Sequence, residues 1–403
     1  MGKIADRLIS GSAVNLMGKL HDLSGKPGYY SFASGMPNED TFPVAEMTKA
    51  SEEVLDSQWN EALQYNSTDQ YEPLKKFVVS RYAKAGLNVT EKDILITSSS
   101  TQALDICAKT FIDSGDLTLI ERPSFMGAIN TFKIYDSRLI DVPFKEGGLD
   151  LDVLEERLRQ KPKLAYFLPT FQNPTGLTYS LENREKVGEL IQKTDTIVLE
   201  DDPYGELRFY GEKMPPLKAF IGDQGLILGT FSKIVSPGMR LGWICCTDPE
   251  LMASLYTVKR QCDIAAEGIS LRAMNRYLTE WDFEEHIKEA TGFYQKNADV
   301  MMESMDIWFP KEVTYYKAEG GLFIWCELPE YISVTELFNA CSEKNVLFFP
   351  GSTFYIDPAD GEHSLRLSYS CTDAESIREG IRIMGTLMRE MVQKHNCIYD
   401  EES

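Results

Sequence analysis

Between about residues 90 and 250, short apolar runs alternate with stretches in which apolar positions recur every three or four residues. Unbroken apolar runs of four to six residues mark strands buried on both faces, whereas the three-to-four repeat marks amphipathic helices. The predicted strands are DILIT, LTLIE, LAYFLP, TIVLED, LILGTF and LGWICC. Helices predicted between them include QALDICAKTF, LDVLEERLRQ and LENREKVGELIQK. This alternation implies an α/β region around a mainly parallel sheet, whose ligand crevice lies outside the carboxyl ends of the strands.

After residue 247 the pattern turns helical, with a long amphipathic stretch at about 281–306 placed to link two domains. The tail reads as α+β: GLFIWCEL, a helix opened by SVTE, then VLFFP, LRLSYS and a last helix opened by TDAE. Both openings have the Ser/Thr-x-x-Glu form that satisfies the free amides of a helix start. The first 44 residues, with the turn-rich ASGMPNEDTFP, read as an arm that joins the small domain. The expected division is arm 1–44, large domain 45–285 and small C-terminal domain 286–403.

Composition narrows the partners. The net charge of −21, from 62 acidic against 41 basic residues, disfavours nucleic acid and anionic membranes, which reward clustered Lys and Arg. The opening residues lack a long apolar block, and no later segment is long enough to span a bilayer. Eight cysteines without a C-x-x-C pair read as reduced core thiols, and four scattered histidines give no support for a metal. A cytoplasmic protein is expected.

Four polar clusters follow predicted strands: SSSTQALD, TFQNPTG, DDPYGE and SKIVSPGMR. Singly, each also reads as a helix start, a turn or a strand exit. Together they supply hydroxyls at a helix start and an arginine, a cradle for phosphate, with a lysine and a carboxylate alongside. One ligand asks for all of these. Pyridoxal 5'-phosphate needs an amine for its aldehyde, a carboxylate for its pyridine nitrogen, and hydroxyls with an arginine for its phosphate.

The stretches SFASGMPNEDTFP, LQYNSTDQYEPL, ITSSSTQALD, ERPSF, FQNPTG, EDDPYGEL, TFSKIVSPGMRLGW, GGLFIW, FFPGSTF and LRLSYS also resemble, in order and spacing, the class I/II aminotransferases of fold type I. The aromatic, kynurenine and 2-aminoadipate aminotransferases are the branch most similar. The resemblance implies a fold type I transferase: a large domain with a mainly parallel seven-stranded sheet, and a smaller α+β domain. It implies that Lys233 bonds the cofactor aldehyde, Asp201 pairs with the ring nitrogen, Asn173 and Tyr204 bind the ring oxygen, and Phe125 stacks on the ring. Ser100, Thr101, Thr230, Ser232 and Arg240 would bind the phosphate, joined by Tyr65 from the other subunit of a homodimer. Arg366 would grip the substrate α-carboxylate beside Gly35 and Asn173.

The expected activity is amino-group transfer from an α-amino acid, aromatic or otherwise monocarboxylic, to a 2-oxo acid such as 2-oxoglutarate. Several positions depart from the family pattern. Ser99 and Gln70 stand where glycine is usual, Phe125 replaces a common tyrosine, and SAVN ends at Asn15 where relatives accepting 2-aminoadipate carry an arginine. A carbon–sulfur β-lyase of the same fold is the alternative chemistry. A transcription regulator built on this fold is a third reading, disfavoured by the acidic charge and by an arm that begins almost at Met1.

Overall fold

The computed structural model describes Leu20, Leu23, Lys26, residues 28–65 and residues 71–401, with side chains to 397. Asn15 and Gln70 lie outside the described residues.

The strand β1 (Tyr30–Ser31) belongs to the arm. An eight-stranded sheet holds β2 (Ile94–Thr97), β3 (Leu117–Arg122), β4 (Arg138–Lys145), β5 (Gly148–Leu149), β6 (Leu164–Phe167), β7 (Ile197–Asp202), β8 (Gly225–Thr230) and β9 (Gly242–Cys245). Their spatial order is β2-β9-β8-β7-β6-β3-β4-β5. From β8 to β4 all pairings are parallel, while β9 runs antiparallel to both its neighbours. The two-residue β5 folds back on β4, so the expected seven strands are joined by one short edge hairpin.

Successive residues of the central strands feed opposite layers, as the pleat requires. Ala165, Phe167 and Val198 pack with Leu154, Leu158, Val187 and Ile191 of the helices Leu151–Leu158 and Leu181–Ile191. Tyr166, Leu199 and Leu228 pack with Leu104, Cys107 and Phe132 on the other face. Every residue of β6 and β8 is buried. The sequence did not show β4, RLIDVPFK, because it is a half-buried strand next to the sheet edge: its polar residues and Pro143 break the apolar run.

A second, antiparallel sheet holds β10 (Thr314–Tyr315), β11 (Phe323–Glu327), β13 (Phe349–Pro350) and β14 (Ser364–Ser368) in the order β10-β11-β14-β13. The arm strand β1 pairs in parallel with β12 (Val346–Leu347). Phe32 continues the link, donating its amide to Leu347 and accepting from the Ser368 amide. Helices Phe283–Trp308 and Ala374–Glu401 cover this region, and one apolar cluster runs from Ile94 and Ile227 through Leu322 and Leu365 to Ile377.

The helix opened by SVTE is capped as expected, with Ser333 accepting from the amides of Thr335 and Glu336. The TDAE helix is not capped by Thr372. Asp373 accepts from the amides of Glu375 and Ser376, and the Thr372 hydroxyl donates to Ser31 of the arm at 2.6 Å.

Candidate active site

The strand-following clusters converge on a cavity of about 280 Å³. Gly35, Ser100, Thr101, Phe125 and Asn173 line it, with Asp201, Tyr204, Thr230, Ser232, Lys233, Arg240 and Arg366. Of the expected site residues, Tyr65 alone is elsewhere: it is 83% exposed, just beyond the short helix Trp59–Ala62.

The helix Ser100–Phe111 presents its amino end to the cavity, where unpaired amides and the helix dipole favour an anion. Ser99, in place of the usual glycine, is its N-cap: its backbone is extended, with φ 160°, and its hydroxyl accepts from the Gln102 amide. No glycine is needed there. The tight approach falls instead on Gly242, whose added Cβ would lie 2.6 Å from the Ser99 carbonyl carbon. After β8, the Thr230 hydroxyl sits 2.9 Å from Ser232 Oγ and 3.1 Å from the Leu241 carbonyl. Arg240 is exposed and left-handed, φ 50°, after the SPG turn.

Three charged groups are held here at a desolvation cost. Asp201 accepts from Tyr166 Oη at 2.6 Å through Oδ2, while Oδ1 is enclosed without a partner. Burial pushes the Asp201 carboxyl up to about 7, against the Tyr166 hydrogen bond and the Lys233 charge. Lys233 Nζ donates to the Gly35 carbonyl at 2.8 Å. Burial, with the Arg366 charge, pushes this amine down to about 8.

Arg366 comes from β14 and is buried. Its Nη1 donates to Asn173 Oδ1 and its Nη2 to the Ala33 carbonyl, both at 2.8 Å, while Nε has no partner. The rings of Phe323, Phe349 and Phe354 lie 4.2, 4.8 and 5.0 Å from its guanidinium carbon. Burial pushes it down to about 9, and among the described residues no carboxylate pairs with it. A buried cation in such company is a receptor for an anion from outside.

Asn173 is fixed from behind. Glu121, buried at the end of β3, accepts from Tyr179 Oη, Gln172 Nε2 and the Leu168 amide, and so pins the FQNPTG loop. Sequence reading missed Glu121 and Tyr166, and also Leu104, Met126, Leu168, Phe323 and Phe349 of the cavity lining. For Tyr166 a signal was present: a tyrosine inside an apolar strand needs a partner for its hydroxyl.

The donor set suits pyridoxal phosphate: a half-buried amine lowered toward neutrality, a carboxylate oxygen without a donor, and hydroxyls at a helix start beside an arginine. Comparison with known proteins agrees. The profile of the family described as aminotransferase class I and II matches residues 28–383. The 2-aminoadipate transaminase of Thermus thermophilus is 36% identical, covering 97% of each chain. The aromatic-amino-acid aminotransferase 1 of Thermococcus litoralis is 34% identical over 90% of this chain and 89% of its own. The crystal structure of Pyrococcus horikoshii kynurenine aminotransferase, in complex with PMP, KYN as substrates and KYA as products, has a TM-score of 0.90 at 32% identity, covering 96% of this chain and 97% of that one. All three are aminotransferases, which favours amino-group transfer over β-elimination. The chain belongs to the class I and II aminotransferases, transaminases that work with pyridoxal 5'-phosphate.

Proposed function

We propose that the cavity holds pyridoxal phosphate through Lys233, Asp201 and the Ser100–Thr101, Thr230–Ser232 and Arg240 cradle, and turns over α-amino acids with aromatic or other uncharged side chains against a 2-oxo acid such as 2-oxoglutarate. The observation that carries this is the partnerless Asp201 Oδ1 sharing one cavity with the half-buried Lys233 amine and a buried, anion-seeking Arg366.

When bound, the cofactor supplies an electron sink for the pair left behind when the substrate Cα–H bond breaks. The protein does the rest. Lys233 Nζ, lowered toward neutrality, is the base that takes the α-proton and the acid that returns one. Asp201 Oδ1 would accept a hydrogen bond from the ring N–H, and its negative charge would keep that nitrogen protonated. Asn173 and Tyr204 would hydrogen-bond the ring oxygen, and Phe125 would stack on the ring. Arg366 binds the α-carboxylate with Asn173 and Gly35 beside it, fixing the α-carbon relative to Lys233.

Lys233, Arg240 and Arg366 are the cations among the described lining residues, and these roles occupy all three. The Met126, Phe323 and Phe349 walls support a donor with an uncharged side chain. Exposed Trp59, Leu63 and Tyr65 support a homodimer in which Tyr65 reaches the phosphate of the other subunit. Sedimentation of Leu63→Asp as a dimer indistinguishable from wild type would count against it. The division into arm 1–44, large domain 45–285 and small domain 286–403 is supported by the two separate sheets, with the helix Phe283–Trp308 crossing the second boundary. A cytoplasmic location is supported by eight free cysteines and by the absence, among the described residues, of a helix long and apolar enough to cross a membrane.

The test is a panel of amino donors with 2-oxoglutarate, read as glutamate formed. Phenylalanine, tyrosine, kynurenine or leucine should exceed 2-aminoadipate in kcat/KM. Preference for 2-aminoadipate would contradict the substrate assignment, and no glutamate from any donor would contradict the reaction.

A further inference from the structure

Tyr166 on β6 and Asp201 on β7 lie on the same face of the sheet. Tyr166 pairs in register with Leu199, two residues before Asp201, and Tyr166, Leu199 and Leu228 pack in one apolar layer. Side chains in strands lean along the strand, so the phenol reaches Oδ2 of Asp201 at 2.6 Å, the length of an O–H donating to a carboxylate anion. Both residues are buried, at 0% and 5% exposure. The Tyr166 ring packs edge-on against Phe132 at 5.9 Å, a contact phenylalanine would make equally well. The hydroxyl therefore has work beyond packing.

The charges around Asp201 show what that work is. Asp202 on its own strand and Glu121 on β3 oppose its ionisation, as does burial, and the nearby Tyr204 phenol carries no favourable charge. Lys233 after β8 favours it, but Lys233 is the group committed to the cofactor aldehyde. Among the described residues Tyr166 is the side chain that donates to Asp201, and it donates to one oxygen only.

We propose that Tyr166 is a positioning residue for the cofactor: its phenol holds Asp201 as an anion and fixes the carboxylate plane so that Oδ1 is offered to the ring-nitrogen proton of pyridoxal phosphate. This role rests on the cofactor assignment, which uptake of pyridoxal phosphate by the wild-type protein tests by itself, whereas substitution at 166 tests Tyr166.

The Asp201 carboxyl is followed by ¹³C NMR in aspartate-labelled apoprotein, assigned with Asp201→Asn, in wild type, in Tyr166→Phe and with 3-fluorotyrosine at 166. A hydrogen bond to an ionised group sets the scale: Tyr166→Phe should raise the Asp201 midpoint by about one to two pH units. It should also weaken pyridoxal phosphate binding by about ten- to a hundredfold. The more acidic fluorophenol is a stronger donor and should move the midpoint down. A purely structural tyrosine would lower thermal stability and leave midpoint and affinity unchanged, and that result overturns the proposal. Should Tyr166→Phe fail to fold, the fluorotyrosine protein decides: a fall in the midpoint supports the proposal, and no change or a rise refutes it.

Discussion

Replacing Arg366 with lysine keeps a positive charge but not the geometry. The guanidinium spans Asn173 Oδ1 and the Ala33 carbonyl, each 2.8 Å away, and lies among three phenylalanine rings. A lysine ammonium is a point donor that cannot make a planar, two-pronged contact with a carboxylate while holding both partners. Losing one hydrogen bond to an ionised group costs about 1.5–3 kcal/mol, or roughly 10- to 150-fold in kcat/KM. The loss should appear in both half-reactions, since amino acid and 2-oxo acid share the carboxylate. Stopped-flow measurement of each half-reaction checks this, with the visible spectrum of the bound cofactor as internal control, because Lys233 and Asp201 are untouched. A fall of less than about threefold, or a loss confined to one half-reaction, would refute the assignment of Arg366.

Further outcomes follow from individual positions. Gly176 has φ +72° and an added Cβ would lie 2.5 Å from the Phe323 carbonyl oxygen, so Gly176→Ala should destabilise by about 1–3 kcal/mol from the backbone alone, read as the urea midpoint. Gly292, inside the helix Phe283–Trp308 with open space around it, gives the opposite sign: Gly292→Ala should stabilise by about 0.5–1 kcal/mol in the same measurement. Burial pushes Glu121 from 4.5 up to about 7, so the folded state binds its proton more tightly than the unfolded state does. Its contribution is complete below the unfolded value and is lost as pH rises through about 7, a change of about 3 kcal/mol. Over that window Glu121→Gln should lose less stability than wild type in urea unfolding at a series of pH values; parallel curves would contradict the shift. The Lys233 amine, lowered to about 8, should make the rate of pyridoxal phosphate uptake by apoprotein rise with pH to about 8 and level off beyond it.

Much of this architecture can be read from the residues, because strands buried on both faces need unbroken apolar runs and the chemistry sits in the loops that follow them. Lys233, Asp201, Asn173 and Ser100 are visible for that reason: each ends such a run or lies in the short loop after it, where parallel strands bring their carboxyl ends to one crevice. β4 escapes notice because it lies next to the sheet edge, half-buried, and needs no unbroken apolar run. Glu121 and Tyr166 escape for the opposite reason, since both lie within strands where the surrounding pattern reads as core, and their partners come from other strands and loops. The cap at Asp373 was displaced by one residue because the Thr372 hydroxyl is taken by Ser31, about 340 positions away in sequence, a contact no local pattern can carry. The apolar walls from Phe323 and Phe349 likewise depend on how the second sheet meets the first.

The central claim is that one particular amine carries the cofactor, and chemical trapping addresses it directly. Holoprotein is reduced with borohydride, digested, and the pyridoxyl-labelled peptide sequenced by mass spectrometry. The account predicts stoichiometric label on Lys233, in the peptide containing TFSK, and none in Lys233→Ala. Label on any other lysine, or equal labelling of the Lys233→Ala protein, would contradict it.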